Sequence, residues 1–412
     1  MIPSAAVLLA ALLVQDPAEE EAHLSRVLAE AGTSTVDYLR ALEKHLERFP
    51  KSTRREEIER TLAKAAVETR DDGRLLIYGA RVVDREGDNP ELLERMAIVL
   101  LRTDDKAKAA RARDFARRLE RAARSIHWKD GPTARVRWKL RQDHDRTLGK
   151  ALVYQSRAAG NLGEIESAVE LASKSYRVYP AAEAAREQAR WLARQEKLGD
   201  AIPRLADAFA IPDADASEAE RARDRVRLGE WHRKAHGSES GLGDLILAAY
   251  DRTAKTIESR RAELRGIDPN AEATDPMQFT LGGLDGKALA LASMRGKVVV
   301  LDFWATWCTP CRAQHPLYEA VMKKYAGRPE VVFLNISTDQ NREVVKPFLE
   351  ENGWKKTVYF EDGLQTLLRV TNIPTTIVIN PRGEITSRMI GFVPDRFVAM
   401  LAERIETALA ER

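Results

Sequence analysis

The hydrophobic period changes once along this chain, near Gly266, and that change limits the possible folds more than any other feature. Over residues 17–265 the sequence is rich in Ala, Leu, Arg and Glu, with apolar residues three and four apart. That is the pattern of amphipathic helices. Breakers fall at Phe49-Pro50, Asn89-Pro90, Leu162-Gly163, Tyr179-Pro180 and Leu198-Gly199. Helices of roughly 12 to 20 residues between such turns make an antiparallel array. After a linker at 266–276, the runs 297–303 and 331–337 are β-branched and of buried-strand type. Helical patterns at 312–325, 342–351 and 395–410 separate or follow strands, and 375–380 with 385–390 reads as a hairpin across Pro381-Arg382-Gly383. Strand–helix–strand order implies an α/β sheet with helices on its faces. The expected fold class is α plus α/β, with an antiparallel helical-repeat array at 17–265 and a smaller α/β domain at 277–412.

A repeat lies inside the helical part. Leu162-Gly163-Glu164 recurs as Leu198-Gly199-Asp200, 36 positions on, and Gly163 is followed by Ala168, Ala172, Ser175 and Pro180. Small residues at that spacing let one helix of a hairpin lie close to its neighbour, and the proline ends it. This resembles the second helix of a tetratricopeptide repeat, with 191–205 as the next turn. Generic helical hairpins are the simpler alternative.

Charge excludes one class of partner. Net charge is +3, and arginines alternate with glutamates instead of forming a basic tract, so no nucleic-acid footprint is expected. At the N-terminus, 5–14 is an apolar run followed by the acidic Asp16. It is too short to span a bilayer and has the length of a signal-peptide core, so 1–15 is read as a signal peptide and the protein as exported to a periplasm or envelope. A buried N-terminal helix in a cytoplasmic protein is the alternative.

Both cysteines of the chain stand in Trp307-Cys308-Thr309-Pro310-Cys311, after a buried strand and at the start of a helix. The first helical turn offers unpaired N–H groups and the positive end of the dipole, which favour thiolate over thiol. A thiolate at Cys308 attacks disulfides, and Cys311, one turn on, can displace the mixed disulfide. Pro310 stiffens the pair without losing a helix bond. A structural zinc site lacks ligands, since His315 alone stands nearby, and a disulfide closing so small a loop stabilises little. Asp302 breaks the run Val298-Val299-Val300-Leu301 with a charge that a buried strand should reject. Desolvation would raise its pKa and fit it to accept and return the Cys311 proton. A strand-end aspartate facing solvent is the alternative.

The stretch 300–312 resembles the thioredoxin superfamily, and more narrowly the exported TlpA/ResA-like thiol-disulfide oxidoreductases. Residues 279–297 are similar to the N-terminal hairpin of that branch, Ile373-Pro374-Thr375-Thr376 to its cis-proline loop, 380–384 to its last hairpin, and Gly391 to its substrate-contacting loop. The resemblance implies a thioredoxin-like domain with Cys308 as exposed nucleophile, Cys311 as resolving thiol and a redox-active disulfide in place of any cofactor or metal. It implies a cis Pro374 and a substrate face of Trp307, Thr309, Pro310, Ile373, Pro374 and Gly391. Gln314 replaces a glutamate found in some members. Phe333 replaces the lysine that pairs with the aspartate in cytosolic thioredoxins, so the Asp302 carboxyl is expected to lack a cationic partner. His315, beside Pro316, is read as a surface residue. The expected function is reduction of protein disulfides, driven by an upstream thiol reductant, with the helical array recruiting protein partners. The alternative is an interaction scaffold that carries the thioredoxin-like domain as a passenger.

Overall fold

The computed structural model describes residues 17–131, 133–212 and 217–411, so the expected signal peptide lies outside the described residues. The chain divides into two compact units, one of 17–126 with 142–257 and the other of 127–141 with 258–411.

The first unit is helical. Its elements are α1 (Pro17–Ala31), α2 (Thr35–Arg48), α3 (Arg55–Thr69), α4 (Asp72–Arg74), α5 (Ala80–Glu86), α6 (Pro90–Leu100) and α7 (Lys106–Arg124). They continue with α8 (Ala134–Leu162), α9 (Ile165–Val178), α10 (Ala182–Arg194), α11 (Leu198–Ala210), α12 (Glu218–His236) and α13 (Leu242–Ile267). The chain passes between units inside α8 and α13. Polar side chains open many helices: Ser34, Asn89, Asp105 and Ser217 each accept a backbone N–H of the first turn. The small residues singled out in the repeat do what their size suggests. Ala168, Ala172 and Ser175 are buried, Ser175 Oγ donates to the Gly149 carbonyl at 2.8 Å, and Ser156 Oγ to the Ala168 carbonyl at 2.7 Å. At Gly160 the approach is closest, with the Trp191 ring against the backbone.

The second unit is built on a mixed five-stranded sheet, order β5-β4-β3-β6-β7. Its strands are β3 (Val298–Trp304), β4 (Val331–Ser337), β5 (Val358–Phe360), β6 (Thr375–Ile379) and β7 (Ile385–Ile390). A separate antiparallel pair, β1 (Thr280–Gly282) and β2 (Ala288–Ala290), precedes it. β3 runs parallel to β4 and antiparallel to β6, so it is central and all seven of its residues are buried. Its period of two divides the core. Val299, Leu301 and Phe303 pack with Phe279, Leu281 and Leu364. Val298 and Val300 pack with Tyr318 and Val321 of α14 (Thr309–Lys324) and with Phe397, Leu401 and Ile405 of α17 (Pro394–Ala410). Two short helices, α15 (Val345–Glu351) and α16 (Leu364–Leu367), complete the unit.

Residues read as a linker are pinned. Asp268 and Asn270 are both 1 % exposed. Arg135 Nε lies 2.9 Å from Asp268 Oδ2, and its terminal nitrogens donate to the carbonyls of Ala271 and Asn270 at 2.8 and 2.7 Å. Asn270 in turn exchanges two hydrogen bonds with the Thr280 backbone. A buried carboxylate beside a guanidinium whose other nitrogens hold the neighbouring carbonyls resists loosening, because losing the arginine leaves a buried charge alone.

A Cβ placed on Gly160 would lie 2.2 to 2.4 Å from three atoms of the Trp191 ring. That ring is 3 % exposed and anchored through Nε1 to Glu187 at 3.0 Å, so it cannot simply swing away. Gly160→Ala should therefore lower stability by about 1–3 kcal/mol, the usual cost of overpacking. Chemical denaturation followed by far-UV circular dichroism checks this; an unchanged midpoint would show that the helices separate freely there.

Candidate active site

β3 delivers two side chains, Asp302 and Trp304, to one face of the sheet near its end. Asp302 stands opposite Asn335 of β4 and Thr376 of β6 and is 6 % exposed. Its Oδ1 accepts from Gln314 Nε2 at 2.9 Å and from Thr376 Oγ1 at 3.3 Å. Gln314 lies one turn beyond Cys311 on α14, so a single hydrogen bond joins the carboxylate to the helix that carries the cysteines. Burial pushes the Asp302 carboxyl up to about 6; Lys356, Thr376 and Gln314 pull it back less strongly. The solvent-facing alternative for Asp302 is thereby excluded.

Cys308 caps the N-terminus of α14, its Sγ accepting the Cys311 N–H at 3.2 Å. Cys308 and Cys311 form a disulfide with Cα atoms 5.3 Å apart. The expectation of an exposed Cys308 is corrected in this oxidised form: it is 3 % exposed against 5 % for Cys311. The reason is its capping position, which turns Sγ inward over the first helical turn and among the side chains of Trp304, Ala305, Val345 and Phe360. Thr309 and Pro310 are exposed beside it. Trp307 is 69 % exposed and lines, with Ile373, Thr306 and Val344, a cavity of about 760 Å³. The Ile373–Pro374 bond is cis. Pro374 is buried, and its carbonyl accepts the Gly391 N–H at 2.8 Å. Gly391 has φ +79, the left-handed region that glycine adopts without strain. Among the described residues, neither the amide nor the carbonyl of Ile373 carries a backbone hydrogen bond.

Two further expectations are corrected. His315 is not a surface residue: it is 8 % exposed, with its ring centroid 3.7 Å from that of Trp354. Burial, followed by Lys356, holds its pKa down to about 4, while Glu319 opposes the shift. Proline at 316 turns no side chain outward, because α14 continues through it to Lys324. Asp302 also does not lack a cation. Phe333 packs between Tyr318 and Tyr325, and the positive charge comes instead from Lys356, in the segment entering β5. Sequence reasoning misses Lys356, Trp354, Tyr318 and Asn335. Only the register of β4 with β5, in which Asn335 pairs Val358, brings Lys356 to Asp302 across the intervening chain.

A family model described as "Thioredoxin-like" matches residues 296–385. The chain is 29 % identical over 139 residues to the thiol-disulfide oxidoreductase ResA of Bacillus subtilis, a match covering 33 % of this chain and 77 % of ResA. It is 32 % identical over 128 residues to the thioredoxin-like protein YneN of the same organism, covering 31 % of this chain and 74 % of YneN. The chain belongs to the thioredoxin-like family. StoA of B. subtilis is a similar solved structure, 24 % identical with a TM-score of 0.27, covering 31 % of this chain and 94 % of StoA. The thioredoxin-like unit carries a Cys-x-x-Cys disulfide at a helix start, and with the oxidoreductases it resembles in sequence its chemistry is thiol–disulfide exchange. Among the described residues no group of His, Cys, Asp or Glu is arranged to hold a metal, and no helix is long and apolar enough to cross a membrane.

Asp302 should leave a signature in stability. Its ordinary pKa is 3.8 and its folded value about 6, so between those pH values the folded thioredoxin-like unit holds a proton that the unfolded chain has lost. Stability from this group is full below about pH 4 and is lost as pH rises through about 6. At about 1.4 kcal/mol per pH unit, the rise from 3.8 to about 6 amounts to roughly 3 kcal/mol. Asp302→Asn should gain stability of that order at pH 7, and the gain should vanish toward pH 4. His315, shifted the other way, contributes a slope of opposite sign over 4 to 6.5, common to both proteins and cancelled in their difference. Denaturant titrations at several pH values provide the check.

Proposed function

We propose that this protein is a reductase of protein disulfides, exported from the cytoplasm, with Cys308 as nucleophile, Cys311 as resolving thiol and Asp302 as the proton acceptor. The single observation that carries the reading is the Cys308–Cys311 pair capping α14, joined through Gln314 to a buried carboxylate. In the reduced enzyme the Cys308 thiolate attacks one sulfur of a substrate disulfide. A Cys308–substrate S–S bond forms, the substrate's own S–S bond breaks, and one substrate thiolate leaves. Cys311 then gives its proton to Asp302 and attacks Cys308 Sγ, which expels the second substrate thiolate and leaves the Cys308–Cys311 disulfide. Two electrons have passed to the substrate, and a dithiol reductant returns them to the enzyme. The helix start favours the thiolate of Cys308 for the first attack, while burial keeps Asp302 near the pKa a general base needs.

The substrate face in this reading is Trp307, Thr309, Pro310, Ile373, Pro374 and Gly391. An extended substrate strand would pair with the unused Ile373 backbone, and its side chains would enter the cavity walled by Trp307 and Ile373. The first, helical unit would hold the partner protein, as stacked helical hairpins with a broad surface do. Export is supported by the apolar run at 5–14 and by cysteine usage confined to the working pair, since further thiols are liabilities in an oxidising compartment.

Equilibrium titration of the pair against glutathione or dithiothreitol tests direction. A potential well below about −200 mV is expected for a reductase, and one near about −120 mV would reverse the assignment. Cys311→Ser should trap substrate as a mixed disulfide on Cys308, whereas Cys308→Ser should trap none. If Cys308→Ser left function in the cell intact, the scaffold reading would replace this one.

A further inference from the structure

Lys356 belongs to no hydrogen bond and no ion pair within 4.0 Å among the described residues. Its ammonium lies instead 3.5 Å from the centroid of the Trp304 ring and 4.6 Å from that of Trp354. The two rings are themselves in contact, with centroids 5.7 Å apart, and Phe348 packs edge-on against Trp354 at 5.3 Å. Trp304 is 1 % exposed and sits two residues beyond Asp302 on β3, on the same face of the sheet. The backbone adjoining the lysine is fixed as well, because the Thr357 carbonyl accepts from Asn335 Nδ2 at 3.1 Å, and Asn335 is the cross-strand neighbour of Asp302. A cation is therefore clamped by indole faces beside a buried carboxylate without touching it.

The surroundings make that charge effective. Around the pair stand Gln314, His315, Tyr318 and Glu319 of α14, Asn335 of β4 and Thr376 of β6. His315 is held neutral at pH 7, and burial raises the Tyr318 hydroxyl well above its usual range, so it stays neutral too. Glu319 is partly exposed, its side chain 40 % accessible, and pairs with His315 at 3.7 Å. Buried Asp302 and half-buried Lys356 are thus the two formal charges among these groups. Each alters the other's ionisation in the sense opposite charges require, Asp302 downward and Lys356 upward, against larger burial effects.

We propose that Lys356, held by the faces of Trp304 and Trp354, is a positioning residue for thiol–disulfide exchange: its ammonium is the counter-charge that lets buried Asp302 carry a negative charge. Indole faces suit the task, because they stabilise a cation without supplying an anion that would neutralise it. The lysine touches neither sulfur and acts through Asp302. This rests on the reading of Asp302 as proton acceptor, and it names what regulates that acceptor.

The test is carboxyl ¹³C NMR titration of the full chain in its disulfide form, with the Asp302 resonance assigned by its loss in Asp302→Asn. Lys356→Met should raise the Asp302 midpoint by about one pH unit, the size expected of a lost neighbouring charge, and Lys356→Arg should leave it near the parent value. Lys356→Gln serves as second neutral variant should the methionine protein not fold. A folded neutral variant whose midpoint stays put overturns the proposal, as does an arginine variant that moves it as far as methionine does. A parallel single-turnover measurement follows release of the Cys308 mixed disulfide against pH. If its inflection moves with the NMR midpoint, both readings hold. If the midpoint moves and the inflection does not, Lys356 still governs Asp302, and Asp302 is not the proton acceptor.

Discussion

One carboxylate buried in the central strand organises the catalytic end of this protein. A charge at Asp302 has apolar neighbours along its own strand, and leaving it unpaired there would cost several kcal/mol. The fold answers with contributions from three directions: an amide from α14, a hydroxyl from β6, and an ammonium that the pairing of β4 with β5 carries inward. None of these is strong enough to restore the ordinary pKa. The carboxyl is left near neutrality, and a group poised there can both take and return a proton. Had the three partners been stronger, the same residue would be a permanent anion and chemically idle.

The cysteines face the opposite bias. At the start of α14 the peptide dipoles favour negative charge on Cys308, while burial in β3 disfavours it on Asp302. The gradient suits an exchange enzyme, in which the outer sulfur must be ready as a thiolate and the inner one must lose its proton only when the mixed disulfide forms. Gln314 links the two regimes, hydrogen-bonded to Asp302 and one turn from Cys311.

Local chemistry is legible in the sequence; long-range company is not. The strands 298–304 and 331–337, the hairpin after Pro374, the cysteine-bearing helix and the small-residue contacts at Ala168, Ala172 and Ser175 all follow from periodicity and residue size. So does the burial of Asp302, since a charge inside a run of Val and Leu has nowhere else to point. The surface reading of His315 fails because a position beside a proline says nothing about which face of a helix a neighbour occupies, and here that face meets Trp354. Phe333 suggests a missing cation only while β4 is considered alone. Lys356 comes from a distant segment of the chain, and nothing within Trp354-Lys355-Lys356-Thr357 distinguishes the half-buried lysine from the exposed one before it. An open Cys308 is the natural expectation because nucleophiles must be reached, yet a capping side chain turns back over its own helix.

The distance kept between Asp302 and Lys356 is itself informative. A direct ion pair in that compartment would bind the proton-accepting carboxylate tightly in its charged form, and each protonation would have to break it at the expense of a stranded ammonium. Through-space attraction without contact is softer: it falls with distance and leaves the oxygens of Asp302 open to hydrogen-bond donors. The indole clamp makes that spacing possible, because it satisfies the cation where no carboxylate is in reach. The two tryptophans thus do for the charge what the strand does for the carboxylate, holding it close enough to be felt and too far to be quenched.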